Sequence, residues 1–284
     1  MLHANDSVND FTGQTIVITG ANSGIGLAAA KAFARAGGRV ALVGRDQARL
    51  DDALALVATL ARGADVAPKA FRADFAVLDD VRELAVRLGN AYPSINVLAN
   101  NAGGSNASRT TTVDGFELTI QVNHLAPFLL TNLLRERLTG GRIVNTASDA
   151  HTVGRLDPAQ LNYPGRYRMF PVYGATKQAN ILFAAEAARR WPDISSFSYH
   201  PGVVRTRFGR DSIVVNVFYK VMPGLRTPVE GADTMVWLAG APLGELEDGG
   251  YYVNRRRRSP SRAASDPAIA DALWTATEAA VGLS

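Results

Sequence analysis

The stretch TIVITGANSGIG, residues 15–26, decides the fold. Its first half, Thr15 to Thr19, is an unbroken run rich in β-branched residues, the pattern of a strand buried on both faces of a parallel sheet. Its second half puts glycines at 20, 24 and 26, where a backbone without Cβ atoms can turn tightly and approach a phosphate. Alanine-rich sequence from Ile25 to Ala36 then predicts a helix, stopped by Gly37 and Gly38. A helix start behind such a turn offers free N–H groups and the positive end of its dipole to an anion. The spacing departs from the G-x-G-x-x-G fingerprint, and a plain tight turn is the alternative.

Outward from this stretch, strand and helix signals alternate. Arg39 to Val43 reads as a second strand, and Asp46 as the cap of a helix running to about Arg62. Ala70 to Ala73 is a short strand; Val81, Leu84, Ala85 and Leu88 mark a helix from Asp79. Ile95 to Ala99, Arg142 to Asn145, Ser195 to Tyr199 and Tyr251 to Val253 complete the strands. Between them, helices are predicted over Gly115–Leu138, Tyr173–Arg190 and Pro228–Ala239. Such alternation predicts an α/β fold: one doubly wound Rossmann-type domain with a seven-stranded, mainly parallel sheet and helices on both faces. No linker or repeat divides residues 1–284, and residues 1–10 read as a flexible N-terminus.

Composition narrows the classes. At 47% apolar and 20% charged, the 284-residue chain can bury a core. It has no cysteine, which excludes disulfides, thiolate metal sites and cysteine nucleophiles. No apolar run is long enough to span a membrane and no signal peptide is visible, so the expected location is cytoplasmic, without stable membrane insertion. The net charge of +4 includes four adjacent arginines, Arg255 to Arg258; these read as a solvated loop, and nucleic acid is not an expected partner. His124, His151 and His200 lack companions at ligand spacing, so no metal site is expected.

Two local patterns carry chemistry. Strand two ends Val43-Gly44-Arg45-Asp46. An acidic side chain there suits a ribose 2′-hydroxyl, whereas the planar fork of Arg45 suits a 2′-phosphate. Asp46 competes but reads well as a helix cap, so NADP(H) is the favoured cofactor. Tyr173 and Lys177 lie four apart on one helix face. A neighbouring ammonium stabilises a phenolate, allowing the phenol to exchange a proton with a carbonyl or alcohol near neutrality. Alone, such a pair is also common on surfaces.

Together the motifs TGANSGIG (19–26), LANNAG (98–103), VNHL (122–125), IVNTAS (143–148), YGATK (173–177) and HPGVVRT (200–206) resemble the short-chain dehydrogenase/reductase family in content and order. VNHLAPFLLT, YGATKQANILFAAEAARR and RTPVEGADT (226–234) are most similar to its retinol-dehydrogenase-like branch. The resemblance implies that Ser148 holds a substrate carbonyl, Tyr173 acts as acid/base, Lys177 tunes it and holds the nicotinamide ribose, and Asn123 anchors a proton-relaying water. It also implies a cofactor groove formed by Gly20, Asn22, Ser23, Gly24, Ile25 and Gly26, with Arg45, Asp74, Phe75, Asn100, Ala102 and Gly103. Tyr173, Lys177, Pro201, Val203 and Thr206 would lie beside the nicotinamide.

Two features depart from the family pattern. Ala147 stands where a second serine is common, and the 25-residue interval from Ser148 to Tyr173 is longer than usual. The added stretch, His151 to Met169, is expected to shape the substrate mouth. A substrate-covering segment is expected over 207–226, where Ile213, Val214, Val217, Phe218, Val221 and Met222 offer an apolar lining. Packing against the protein's own body or a partner subunit, and shallow contact with a membrane, are the alternatives for that segment, the last opposed by Asp211 and Lys220. The implied activity is NADPH-dependent reduction of a carbonyl, or oxidation of the alcohol, on a hydrophobic small molecule, by a monomer or homo-oligomer. A non-catalytic NADP(H)-sensing protein and a carbon–carbon double-bond reductase are the alternatives.

Overall fold

The computed structural model describes residues 10–63, 66–163, 165–204 and 224–283. Thr206 and residues 207–223 of the expected covering segment lie outside the described residues, as do residues 1–9. Strand β1 (Thr15–Thr19) is buried at every position. It pairs in parallel with β2 (Arg39–Gly44) on one side and β4 (Val97–Asn100) on the other. β3 (Lys69–Arg72) lies beyond β2. On the other side follow β5 (Arg142–Thr146), β6 (Ser195–His200) and β7 (Tyr251–Val253), all parallel. The winding direction therefore reverses between β1 and β4. At such a reversal, the crevice outside the strand C-termini is where ligands bind.

The continuous apolar run of β1 reflects a core on each face, because alternate side chains point opposite ways. Ile16 and Ile18 pack with Phe33 of α1 (Gly24–Arg35) and with Met235 and Leu238. Val17 faces the other layer, with Leu84 and Leu88, Phe128, and Leu182. As expected, Asp46 caps α2 (Gln47–Ala58), its carboxylate accepting from the Arg49 N–H. The remaining helices are α3 (Leu78–Ala91), α4 (Leu118–Ile120), α5 (Ala126–Leu133), α6 (Met169–Arg190), α7 (Pro228–Gly240) and α8 (Pro267–Val281). None of the described helices is long and apolar enough to cross a membrane.

Three elements differ from expectation. The predicted 115–138 helix is interrupted: a π-helical turn, Gln121–Leu125, separates α4 from α5, and a 3-10 turn, Arg135–Leu138, follows. Pro127 can offer no N–H to the Asn123 carbonyl, which removes one rung of an ordinary ladder. The Tyr173 helix begins one turn earlier, at Met169. The sheet has eight strands, not seven, because the arginine run forms β8 (Arg256–Arg258), antiparallel to β7. Asn254 and Arg255 both have positive φ, 55° and 59°, the geometry of a tight two-residue hairpin turn. β8 is exposed, with Arg255 paired to Asp233 and Arg257 to Glu247. Charge along an edge strand discourages further strand pairing.

Helix α6 is buried nearly all round because α8 covers its outer side. Asp266 caps α8 and Gly282, at φ 69°, ends it. Trp274 anchors the contact: its ring lies 4.9 Å from Phe128, 5.8 Å from Phe183 and 5.0 Å from Trp191, with the Arg190 guanidinium 4.9 Å away. Trp274→Ala should therefore lower stability by about 3–5 kcal/mol, read as a reduced urea midpoint with an unchanged m-value.

Candidate active site

The glycine turn sits at the mouth of the crevice. Gly20 and Gly24 take positive φ, 68° and 55°, which disfavours other residues. A Cβ on Gly26 would run into the carbonyl oxygen of Gly20. Ser23 precedes α1 with extended backbone and no side-chain hydrogen bond to the helix, so its side chain caps none of the first N–H groups. The turn is stitched to the end of β4. Asn101 Nδ2 donates to the Thr19 carbonyl at 2.9 Å, and Thr19 Oγ1 accepts from the N–H of Asn101 and of Ala102, both at 2.9 Å.

The other expected groove residues fall into distinct settings. Arg45 is exposed just past β2, and Asn22 packs beside Gly44. Asp74 uses its carboxylate to accept from the Ala76 N–H at 3.0 Å, while Phe75 is buried. Asn100 points its amide inward, donating to Thr131 Oγ1 and Asn145 Oδ1 at 3.0 Å each. Its neighbour Asn101, absent from the expected set, is the residue that touches the glycine turn. Pro201 and Val203 follow β6, and the Val203 carbonyl accepts from the Arg226 N–H at 2.8 Å.

At the C-terminal end of β5 the expected chemical residues converge. Lys177 is buried, and its Nζ donates to the Thr146 carbonyl at 2.9 Å. Nζ also lies 5.4 Å from the centroid of the Tyr173 ring. Burial pulls the Lys177 ammonium down to about 8, because the charged form loses its hydration. Asn123, in the π turn, holds Gly104 by both its N–H and its carbonyl, at 2.8 Å each. Its Nδ2 also donates to Thr176 Oγ1 at 3.0 Å, and Thr176 donates to the Tyr173 carbonyl at 2.8 Å. The π turn thus joins the Gly103–Gly104 loop to α6, a use typical of such turns at functional sites.

Ser148 ends the segment after β5 and caps the 3-10 turn Asp149–Thr152, accepting from the Ala150 N–H at 3.2 Å. Its hydroxyl proton is still available to a ligand. This turn packs against α6 beside Tyr173: a Cβ on Gly174 would run into the Ala150 carbonyl. The histidines have structural partners. His124 meets Thr277 at 3.1 Å, and burial lowers its pKa to about 4. His200 faces Asp149, whose carboxylate also accepts from the Tyr251 hydroxyl at 2.8 Å. Burial is the main cause lowering the His200 pKa, with Asp149 opposing.

The long interval before α6 is tied to the 106–117 loop. Asn162 accepts from the Glu117 N–H at 2.8 Å and donates to the Gly115 carbonyl at 2.9 Å; Tyr167 donates to the Asn106 carbonyl at 2.7 Å. Gln121 is a further residue that sequence reasoning missed. Buried in the π turn, it donates to Asp114 at 2.7 Å and to the Phe75 carbonyl at 3.3 Å. It ties the Asp74–Phe75 loop to the turn that carries Asn123. No local pattern marks it, since its partners come from two other loops.

Comparison with known proteins fits this geometry. The family model for short chain dehydrogenase matches residues 14–213. A Streptomyces sp. (strain C5) protein, provisionally named as the daunorubicin C-13 ketoreductase DnrU, is 57% identical over 95% of this chain and 93% of its own. Human retinol dehydrogenase 14 is 36% identical over 95% of this chain and 87% of its own. Among solved structures, a short chain dehydrogenase from Burkholderia cenocepacia J2315 in complex with NADP superposes with a TM-score of 0.69. It is 25% identical, covering 86% of this chain and 97% of that one.

The π-turn tether has a measurable cost of removal. Asn123→Leu removes both partners of the half-buried Gly104 backbone, and each lost hydrogen bond costs about 0.5–1.5 kcal/mol. Its urea midpoint should fall clearly below that of a surface control such as Asn90→Leu.

Proposed function

The chain belongs to the short-chain dehydrogenase family, and from that premise we propose that it is an NADPH-dependent reductase of hydrophobic ketones, reversible in principle. The observation that carries this reading is the buried Lys177 ammonium, fixed on the Thr146 carbonyl beside the Tyr173 ring. A cation placed there favours the phenolate, so the phenol is a ready proton donor.

The residues present fit a dinucleotide. The glycine turn has no room for a Cβ at Gly26, and the start of α1 offers N–H groups to a pyrophosphate. Arg45, exposed and without an ion pair among the described residues, supports a 2′-phosphate and hence NADP(H) over NAD(H). Bound NADPH supplies the hydride. The chain's part is to orient the carbonyl through the Ser148 hydroxyl and to deliver a proton from the Tyr173 phenol. Lys177 keeps that phenol acidic, and Asn123 holds the loop beside it. Asn22, Ser23, Ile25, Asp74, Phe75, Ala102, Gly103, Pro201 and Val203 would line the cofactor groove. Working on NADPH, the protein would act in the cytoplasm, where that cofactor is supplied.

A polycyclic aromatic ketone is the favoured substrate. The Streptomyces relative's name points to one, and Val153 and Phe170, in the stretch between Ser148 and Tyr173, are large apolar side chains left exposed. The test is a panel of ketones, daunorubicin among them, with NADPH and NADH in one assay. Tyr173→Phe should lose about 10²–10⁴-fold in kcat while still binding NADPH; equal turnover would reject the site. Arg45→Ala should raise the KM for NADPH and leave that for NADH nearly unchanged. A wild-type preference for NADH would overturn the role of Arg45.

A further inference from the structure

His151 belongs to the serine turn, and its side chain is buried. Its Nδ1 lies 2.7 Å from the Ser148 carbonyl oxygen, and its Nε2 lies 3.1 Å from the backbone nitrogen of Ser261. The backbone N–H of Ser261 can only donate, so Nε2 must carry the lone pair. Nδ1 then carries the proton and donates to Ser148. The partners thus select one neutral tautomer. The ring is further fixed edge-on against Tyr251, with centroids 5.3 Å apart.

We propose that His151 is a positioning residue for Ser148: its imidazole clamps the serine's peptide plane to the segment that follows β8, and so sets where the serine hydroxyl points. The Ser148 carbonyl receives two donors from one residue, the His151 ring and the His151 N–H at 3.0 Å. Two donors on one oxygen leave that peptide little freedom to rotate, and the hydroxyl-bearing Cβ hangs from the adjoining Cα. The far end of the clamp is firm, because Ser261 caps the turn Arg262–Ser265 and Ala264 within it is buried. Asp149, the next residue after Ser148, accepts from the Tyr251 hydroxyl at 2.8 Å. Among the described residues the ring meets Ser148, Ser261 and Tyr251, and of these Ser148 carries the hydroxyl that faces the reaction.

The inference rests on Ser148 as the hydroxyl that orients a carbonyl, and the experiment separates the two. With daunorubicin and NADPH, His151→Leu should lower kcat by up to about 100-fold, as expected for misplacing a reacting group, with little change in the KM for NADPH. His151→Asn, whose amide nitrogen can stand in for Nδ1–H but which gives up the bond from Ser261, should recover only part of that loss. Wild-type kcat in His151→Leu, or an equal loss in both variants with a parallel rise in the KM for NADPH, overturns the proposal. Long-range ¹H–¹⁵N spectra of the wild-type protein should show His151 as the Nδ1–H neutral tautomer; the Nε2–H tautomer overturns the clamp even if His151→Leu fails to fold. If the wild-type protein reduces no ketone, the functional reading fails by itself. Crystal structures of wild type and His151→Leu, together with the spectra, then decide the clamp: a displaced Ser148 hydroxyl in His151→Leu supports it, and an unchanged one rejects it.

Discussion

A buried ammonium without a carboxylate sets the terms for the rest of this site. Lys177 lies under the C-terminal edge of the sheet, and among the described residues no acidic side chain meets it. Removing a charge from water is costly unless hydrogen bonds replace its hydration, and here the Thr146 carbonyl supplies one. A lowered pKa relieves part of that cost, since the neutral amine is cheaper to bury. For the ammonium to sit there, β5 must end at Thr146 and α6 must run close over it. Asn180 binds the same carbonyl at 3.2 Å from the next turn of α6. The position of Tyr173 one turn before Lys177 then follows from helix geometry.

The elements around this contact serve to keep α6 against the sheet. Gly154 and Gly174 allow the serine turn and the helix to touch backbone to backbone. The π turn reaches α6 through Asn123 and Thr176. On its outer side α8 seals the helix through Trp274. The stretch between Ser148 and Tyr173, instead of extending away, is hydrogen-bonded to the 106–117 loop.

Much of this was legible because it is local. The β-branched run and glycines of 15–26 specify a buried strand, a tight turn and a helix start within a dozen consecutive residues. The Tyr173–Lys177 pair follows from helical spacing, and the Asp46 cap from its place before α2. What escaped depends on partners far away in sequence. The π turn answers to Pro127 and to a loop that Asn123 must reach. β8 has no alternation of apolar and polar residues, and its turn lacks the glycine that usually announces a hairpin. Asn101 bonds the start of the glycine turn through its side chain at the end of β4, a contact that only the folded chain brings about. His151 gives no hint of its role until Ser261, 110 residues on, is brought beside it.

The most direct test is to titrate the Lys177 amine itself in the cofactor-free protein, by ¹³C and ¹⁵N resonance of the side chain assigned with a Lys177→Arg control. A buried ammonium on the Thr146 carbonyl should titrate near 8. A midpoint at the ordinary value of a solvated lysine, about 10.4, would mean that the cation is not sealed beside Tyr173, and the account of the site would be wrong.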